Sequence, residues 1–359
     1  MGRTFKFLLL LFFVLILFVQ PTGATPYWFK AGIYAKYVSR SVEDDEHLRR
    51  GHPISISRAP DEEITYYCPY VDFTWRVLKV TEDRAQMSVL LRGFNCTKSV
   101  QKTLDEETAR EILRRYQEKY NFTGGNCLTI ESETGNVTVC EDSYAEQTSQ
   151  HKVGLAIVDG KGHLFNESFV PENFTRSGLL ELDLKTGEFY VNGTSVGRNF
   201  LWAENPANIT GLEVMPGLEV EEVKMINSTA MTYYGDFNAP VYMAHTNMMT
   251  VEGGHGKCVF LYDGSSGLAI AFFTPFSPLW KVLGISEAMI QDTAFAKEHE
   301  KEIKESNKMP PFGLVLAETN IDFTKPAELP DEGPSKTAIV AIVGIVAVLG
   351  ALLLWRWRR

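Results

Sequence analysis

The chain is poor in the residues from which catalytic centres are built. Seven histidines and five cysteines are spread over 359 residues, with no HExxH, no CxxC and no Walker-type loop. Those absences remove the sequence signatures of zinc hydrolases, dithiol redox proteins and P-loop nucleotidases. Glutamine occurs only seven times while Glu and Lys are common, a bias that leans toward a thermophilic source. Positive charge is also short. The formal charge is −10, and the +2 of residues 1–24 and the +3 of residues 356–359 leave −15 on the remainder. An acidic body repels phosphate backbones, which argues against a nucleic-acid partner.

What is present is apolar sequence at both ends. Phe7–Val19 follows a basic start (Arg3, Lys6) and runs into the small residues around Gly23 and Ala24. Thirteen apolar residues are short for a bilayer core of about 30 Å and suit a secretory signal peptide, here residues 1–24. Residues 337–355 contain eighteen consecutive uncharged residues, Thr337–Leu354, about 27 Å of helix, and Arg356, Arg358 and Arg359 follow. Arginines mark the cytoplasmic side, and Trp355 and Trp357 sit at headgroup level. The expectation is a type I, single-span membrane protein. Residues 25–325 form the ectodomain, 326–336 a Pro-rich acidic linker, 337–355 the transmembrane helix and 356–359 the cytoplasmic tail. Gly344, Ala347 and Ala351 share one face of the span, which permits homodimer packing there.

Asparagine points to the same compartment. Eight of the fifteen Asn residues open an Asn-x-Ser/Thr sequon: Asn95, Asn121, Asn136, Asn166, Asn173, Asn192, Asn208 and Asn227. Such sites are glycosylation acceptors only in an exported chain. All five cysteines lie between residues 68 and 258, which in an oxidising setting reads as disulfides plus one leftover thiol. Cys127 and Cys140 flank a hairpin with its turn at Glu133–Gly135. Cys68 and Cys96 flank a longer one that turns at Thr81–Arg84. Cross-strand positions meet the Cα separation of a disulfide, so these are the expected pairs. Cys258 is then a buried strand thiol.

Period-two apolar runs dominate the ectodomain: residues 27–37, 73–80 with 86–91, 180–184 with 188–191, 258–262 with 268–273, and 313–323. Two helices are expected, at about 104–120 behind a capping box from Thr103 to Glu106, and at about 278–306 behind Ser277-Pro278. The fold class is therefore α+β, mainly antiparallel sheet, with one C-terminal transmembrane helix beyond it. It forms one large sheet or two modules with a boundary near 147–162. The strand-and-turn layout (FKAGIYAKY at 29–37, FTWRVLKV at 73–80, YDGSSGLAIAF at 262–272, LVLAETNIDF at 314–323), the Pro-rich linker and the terminal span resemble uncharacterised archaeal single-span surface proteins. That resemblance implies a compartment and an architecture, and no activity.

Chemistry is sparse. His245, Glu252, His255 and Cys258 offer imidazole, carboxylate and thiolate ligands for a tetrahedral metal, although their spacing matches no closed zinc pattern. The acidic pairs at 44–45, 62–63 and 221–222 read as surface charge. The favoured function is a membrane-anchored extracellular glycoprotein that binds an envelope component, solute or partner protein without catalysis and without a cofactor. The alternatives are a carrier or chaperone for an apolar ligand on a curved sheet, and a metal-dependent enzyme.

Overall fold

A computed structural model of the chain describes residues 25–42, 51–251, 254–306 and 308–324, with backbone alone at 250, 251, 254 and 255. The signal segment, the linker from 325 on, the span and the tail lie outside the described residues. Among the described residues, no helix is long and apolar enough to cross a membrane.

The architecture hangs on two long strands. Strand β5 (Arg84–Asp105) alternates buried Ala85, Met87, Val89 and Leu91 with partly or fully exposed neighbours, as a sheet strand with one core face must. Its 22 residues span about 70 Å. Along one edge it pairs over its full length with β10 (Lys161–Asp183), from Lys161 opposite Asp105 to Asp183 opposite Arg84. Along the other edge, β4 (Tyr70–Val80) pairs with its first half and β3 (Glu62–Cys68) with its second. Outside β3 lies β2 (His52–Ala59). Outside β4 lies β1 (Tyr34–Arg40), then Leu314–Thr319, the last strand in the chain.

At one end of β10, the strands β9 (His151–Val158), β8 (Ser143–Gln147), β7 (Gly135–Val139) and β6 (Leu128–Ser132) continue the sheet in antiparallel order. At the other end, β10 meets β11 (Glu188–Val191), which pairs with β12 (Thr194–Arg198). Four further strands, β13 (Leu218–Ile226), β14 (Val241–Thr246), β15 (Val259–Asp263) and β16 (Ala269–Phe273), join in sequence. They attach to the last strand, now β17, through β16. The α+β, antiparallel expectation holds. Residues 147–162, where a module boundary was expected, fall among β8, β9 and β10, which are hydrogen-bonded to one another. The strand expected at 27–37 starts only at Tyr34, because residues 26–33 fold into turns closed by bonds such as Phe29 N to Pro26 O.

The helices differ from expectation in detail. Helix α1 (Glu106–Lys119) is capped by Asp105, whose carboxylate accepts from Thr108 N at 2.8 Å. Thr103 is still in β5, its N–H donating to Asp61 O. The longer Asp side chain is placed to satisfy the first-turn N–H groups, so the capping box does not form. The segment 278–306 is three short helices: α2 (Pro278–Val282), α3 (Ala294–Glu298) and α4 (Glu300–Ser306). Gly284 takes a positive φ of 67° and ends the first. Buried Asp292 then ties the chain to β1 by accepting from Arg40 N, Tyr233 Oη and Phe295 N. A continuous helix would break those bonds.

Two cores result. The main one lies on one face of the sheet and is largely aromatic. Tyr37, Phe73 and Phe272 cluster with Trp280 and Phe200 at ring separations of 4.9–6.2 Å. Trp28, Phe29, Trp75 and Trp202 form a second group. Three polar tips are satisfied in place, Trp28 Nε1 donating to Ser266 O, Trp280 Nε1 to Thr274 O and Tyr37 Oη to Ala269 O, whereas Trp75 Nε1 is buried with no hydrogen-bond partner among the described residues. The smaller core packs Ala109 and Leu113 of α1 on Val139, Tyr144 and Leu155.

Both expected disulfides, Cys68–Cys96 and Cys127–Cys140, are present. The first is fully buried where β3 gives way to β4, against Gly93, where a Cβ would come within 2.3 Å of Cys68 Sγ. Truncating Trp75, which is fully buried between Trp28 and Trp202, is expected to cost about 3–5 kcal/mol. Chemical denaturation of Trp75→Ala against the parent chain, followed by far-UV circular dichroism, measures it.

Candidate functional site

The part of the sheet formed by β13 to β16 presents two faces with different chemistry. Pairing puts His245 opposite Val259, and Val259 opposite Phe273, so these three share a face with Met243. Residues one step along, namely Ala244, Thr246, Cys258, Phe260 and Phe272, point the other way and are buried in the main core. His245 and Cys258 therefore lie on opposite faces of one sheet. Thr246 N donates to Cys258 O at 3.0 Å, Cys258 N donates to Thr246 Oγ1 at 2.8 Å, and Cys258 Sγ donates to Phe276 O at 3.4 Å. Of the candidate ligands, His245 and Cys258 are therefore not brought together. The side chains of Glu252 and His255 lie outside the described residues, and among the described residues no group of three His, Cys, Asp or Glu side chains is placed to hold a metal.

His245 sits instead where two depressions meet. On one side, Met243, Val259, Phe273, Phe312, Gln291 and Gly313 line an apolar depression of about 270 Å³. On the other, Glu221, Glu222, Lys224, Thr246, Met248 and Lys257 line a broader, charged cleft of about 800 Å³. Burial is the chief cause that lowers the pKa of His245. Lys257 adds to it, Glu222 opposes it, and Lys224 adds a smaller push downward. The imidazole is thus held toward its neutral form. Its Nδ1 is buried and has no hydrogen-bond partner among the described residues. Across the pairing with β13, Glu222 faces His245 while forming an ion pair of 2.8 Å with Lys224.

The other charged clusters are structural. Asp72 is buried and takes a two-bond clasp from Arg92, Nε to Oδ1 at 2.8 Å and Nη2 to Oδ2 at 2.5 Å, with Lys36 at 3.6 Å. The outer side of α1 is laced by ion pairs of Arg110 with Glu106 and of Arg114 and Arg115 with Glu111. Of the remaining histidines, His299 stacks on Phe295, and His151 and His163 are exposed. His52 is fully buried and accepts from Gln291 N at Nδ1.

The eight sequon asparagines are distributed over β5, β7, β10 (two), the end of α1 and three connecting segments, and every one is exposed. Asn95, Asn121 and Asn192 adopt positive φ (54°, 53° and 50°), as Asn does in tight turns. Asn173 Oδ1 accepts from Asn95 N, which leaves its amide nitrogen, the atom that carries a glycan, to solvent. The apolar depression was not visible in the sequence: its lining comes from β14, β15, β16 and the segment 291–313, and only pairing brings them together. No protein-family model, curated protein or solved structure matches the chain.

Two outcomes follow from these environments. Burial pushes the Cys258 thiol up to about 12, so it is almost entirely protonated at pH 8. Iodoacetamide at that pH is expected to leave Cys258 unmodified in the folded chain and to alkylate it in urea, read by peptide mass. Burial pulls His52 down to about 4, against 6.5 when unfolded, with a main-chain contact to Ser39 opposing. Between those values the unfolded chain binds the proton and the folded chain does not. His52 therefore contributes about 3 kcal/mol above pH 6.5, lost as the pH falls to 4. The unfolding free energy of the parent minus that of His52→Gln, followed from pH 7 to pH 4, is expected to fall by that amount.

Proposed function

We propose that the chain is a membrane-anchored extracellular glycoprotein whose ectodomain binds a ligand or partner rather than transforming one. The observation that carries this reading is the exposure of all eight sequon asparagines on a body closed by two disulfides. Disulfides and acceptor asparagines both belong to an oxidising, exported setting. The first and last parts of the described body lie together, Tyr27 Oη donating to Asp322 O at 3.1 Å. The body is thus a closed module that the terminal span of residues 337–355 tethers, with the short tail inside and a homodimer through the small-residue face of the span a further part of the proposal.

Binding is favoured over catalysis by the chemistry of the His245 site, where a neutral imidazole adjoins an apolar depression with no nucleophile or metal-ligand set converging on it among the described residues. The apolar half of the binding face belongs to sequence beyond the last sequon, Asn227. A carrier using the core face of the sheet is less favoured, because aromatic side chains occupy that face.

Glycopeptide mass spectrometry of the chain from its native membranes tests the compartment. At least half of the eight asparagines are expected to carry glycan, and protease added to intact cells is expected to remove the ectodomain. Eight unmodified asparagines on a protease-protected chain would overturn the reading.

A further inference from the structure

The two depressions that meet at His245 define a ligand shape. The smaller is walled by Met243, Val259, Phe273 and Phe312, all half-exposed, on the sheet face opposite the aromatic core. An apolar cavity of about 150 Å³ suffices for benzene, so about 270 Å³ takes a phenyl-sized group with a few further carbons. Such half-exposed aromatic and methionine side chains gain by being covered, since apolar area is worth roughly 25 cal/mol per Å² when removed from water.

The larger cleft supplies the polar end. Glu221, Glu222, Lys224 and Lys257 are the ionisable groups that line it beside His245. Glu222 is engaged by Lys224, and the two lysines together act on the imidazole against that one glutamate. The lining carries two carboxylates and two amines; with Lys224 engaged by Glu222, Lys257 is the amine left beside His245 to meet an anionic head.

We propose that this site binds a small acidic amphiphile, its aryl or branched alkyl group in the Met243–Phe312 depression and its carboxylate directed to Lys257 and His245. Ligand sites combine an apolar lining with a few placed polar groups in this way. The proposal deepens the binding reading above by naming the ligand class, and it does not depend on the anchor. Gly313 in the wall is fixed by the backbone: its φ is 68°, and a Cβ there would come within 2.1 Å of the main-chain Phe272 O.

The test uses the full chain in lipid nanodiscs, labelled with methyl-13C methionine. The Met243 signal is assigned by Met243→Leu, and the probes are 4-phenylbutyrate and its uncharged analogue 4-phenylbutanol. Both are expected to give saturable shifts of the Met243 methyl, the acid binding roughly three- to fivefold tighter, the range of an exposed ion pair. Lys257→Gln is expected to erase that preference and leave the alcohol unchanged. Val259→Trp is expected to abolish both; if it does not fold, the Lys257→Gln comparison decides alone. Three results would overturn the proposal: no saturable shift at 10 mM of either probe, equal affinity for acid and alcohol, or equal loss of both in Lys257→Gln. Glycan occupancy on the same preparation reports the compartment separately, so either reading can fail without the other.

Discussion

The register between β5 and β10 is the constraint on which the rest of this molecule depends. Two strands of 22 and 23 residues stay hydrogen-bonded along their length, interrupted only near Ser168–Phe174. Because side chains alternate with period two, a slip of one residue would turn Met87, Val89 and Leu91 outward and bring Ser88, Leu90 and Arg92 into the core. The Arg92–Asp72 clasp ties the exposed side of β5 to β4, and the Cys68–Cys96 disulfide ties β5 to the end of β3. Both links fix β5 against its partners on the edge opposite β10. Every other strand is placed by reference to this ladder, those of the α1 lobe at one end and those leading to His245 through β4, β1 and β17.

Aromatic packing converts the ladder into a closed core. Trp28 comes from the first described turn, Trp75 from β4, Trp202 from a loop and Trp280 from α2, yet they stand within one continuous layer with Tyr37, Phe73 and Phe272. Large rings bury much area at small entropic cost, and the tips of Trp28, Trp280 and Tyr37 reach main-chain carbonyls. The same economy leaves the opposite face of β14 to β16 only partly covered, by the segment that carries Gln291, Phe312 and Gly313. A core filled on one face and a shallow apolar opening on the other separate stability from recognition. Cys258, on the core side, belongs to the first; His245, one step across the pairing, belongs to the second.

The arrangement of the sequons fits that separation. They occupy strands and turns between residues 95 and 227, all exposed, whereas the strands that build the His245 site beyond β13 begin after the last of them. Bulky glycans would solubilise one part of the surface and leave the other accessible.

Local chemistry determined a good deal of this in advance. Alternation in 73–80 and 86–91, turn residues at 81–84 and 185–187, and hairpin-flanking cysteines specify antiparallel strands and both disulfides, because each depends on neighbours a few residues away. The exposure of the sequon asparagines and the burial of Cys258 follow from the same patterns. Tertiary structure decided the rest. The polar, sequon-rich stretch 161–178 carries no strong strand signal of its own and becomes a strand because β5 and β9 offer it two edges to bond. The run 278–306 has helical periodicity, but Gly284 and the buried, multiply bonded Asp292 separate the first of its helices from the other two. His245 and Cys258, thirteen residues apart, looked like partners in a line of sequence. Strand pairing put them on opposite faces, since facing is set by register, and register is a property of two chain segments rather than one.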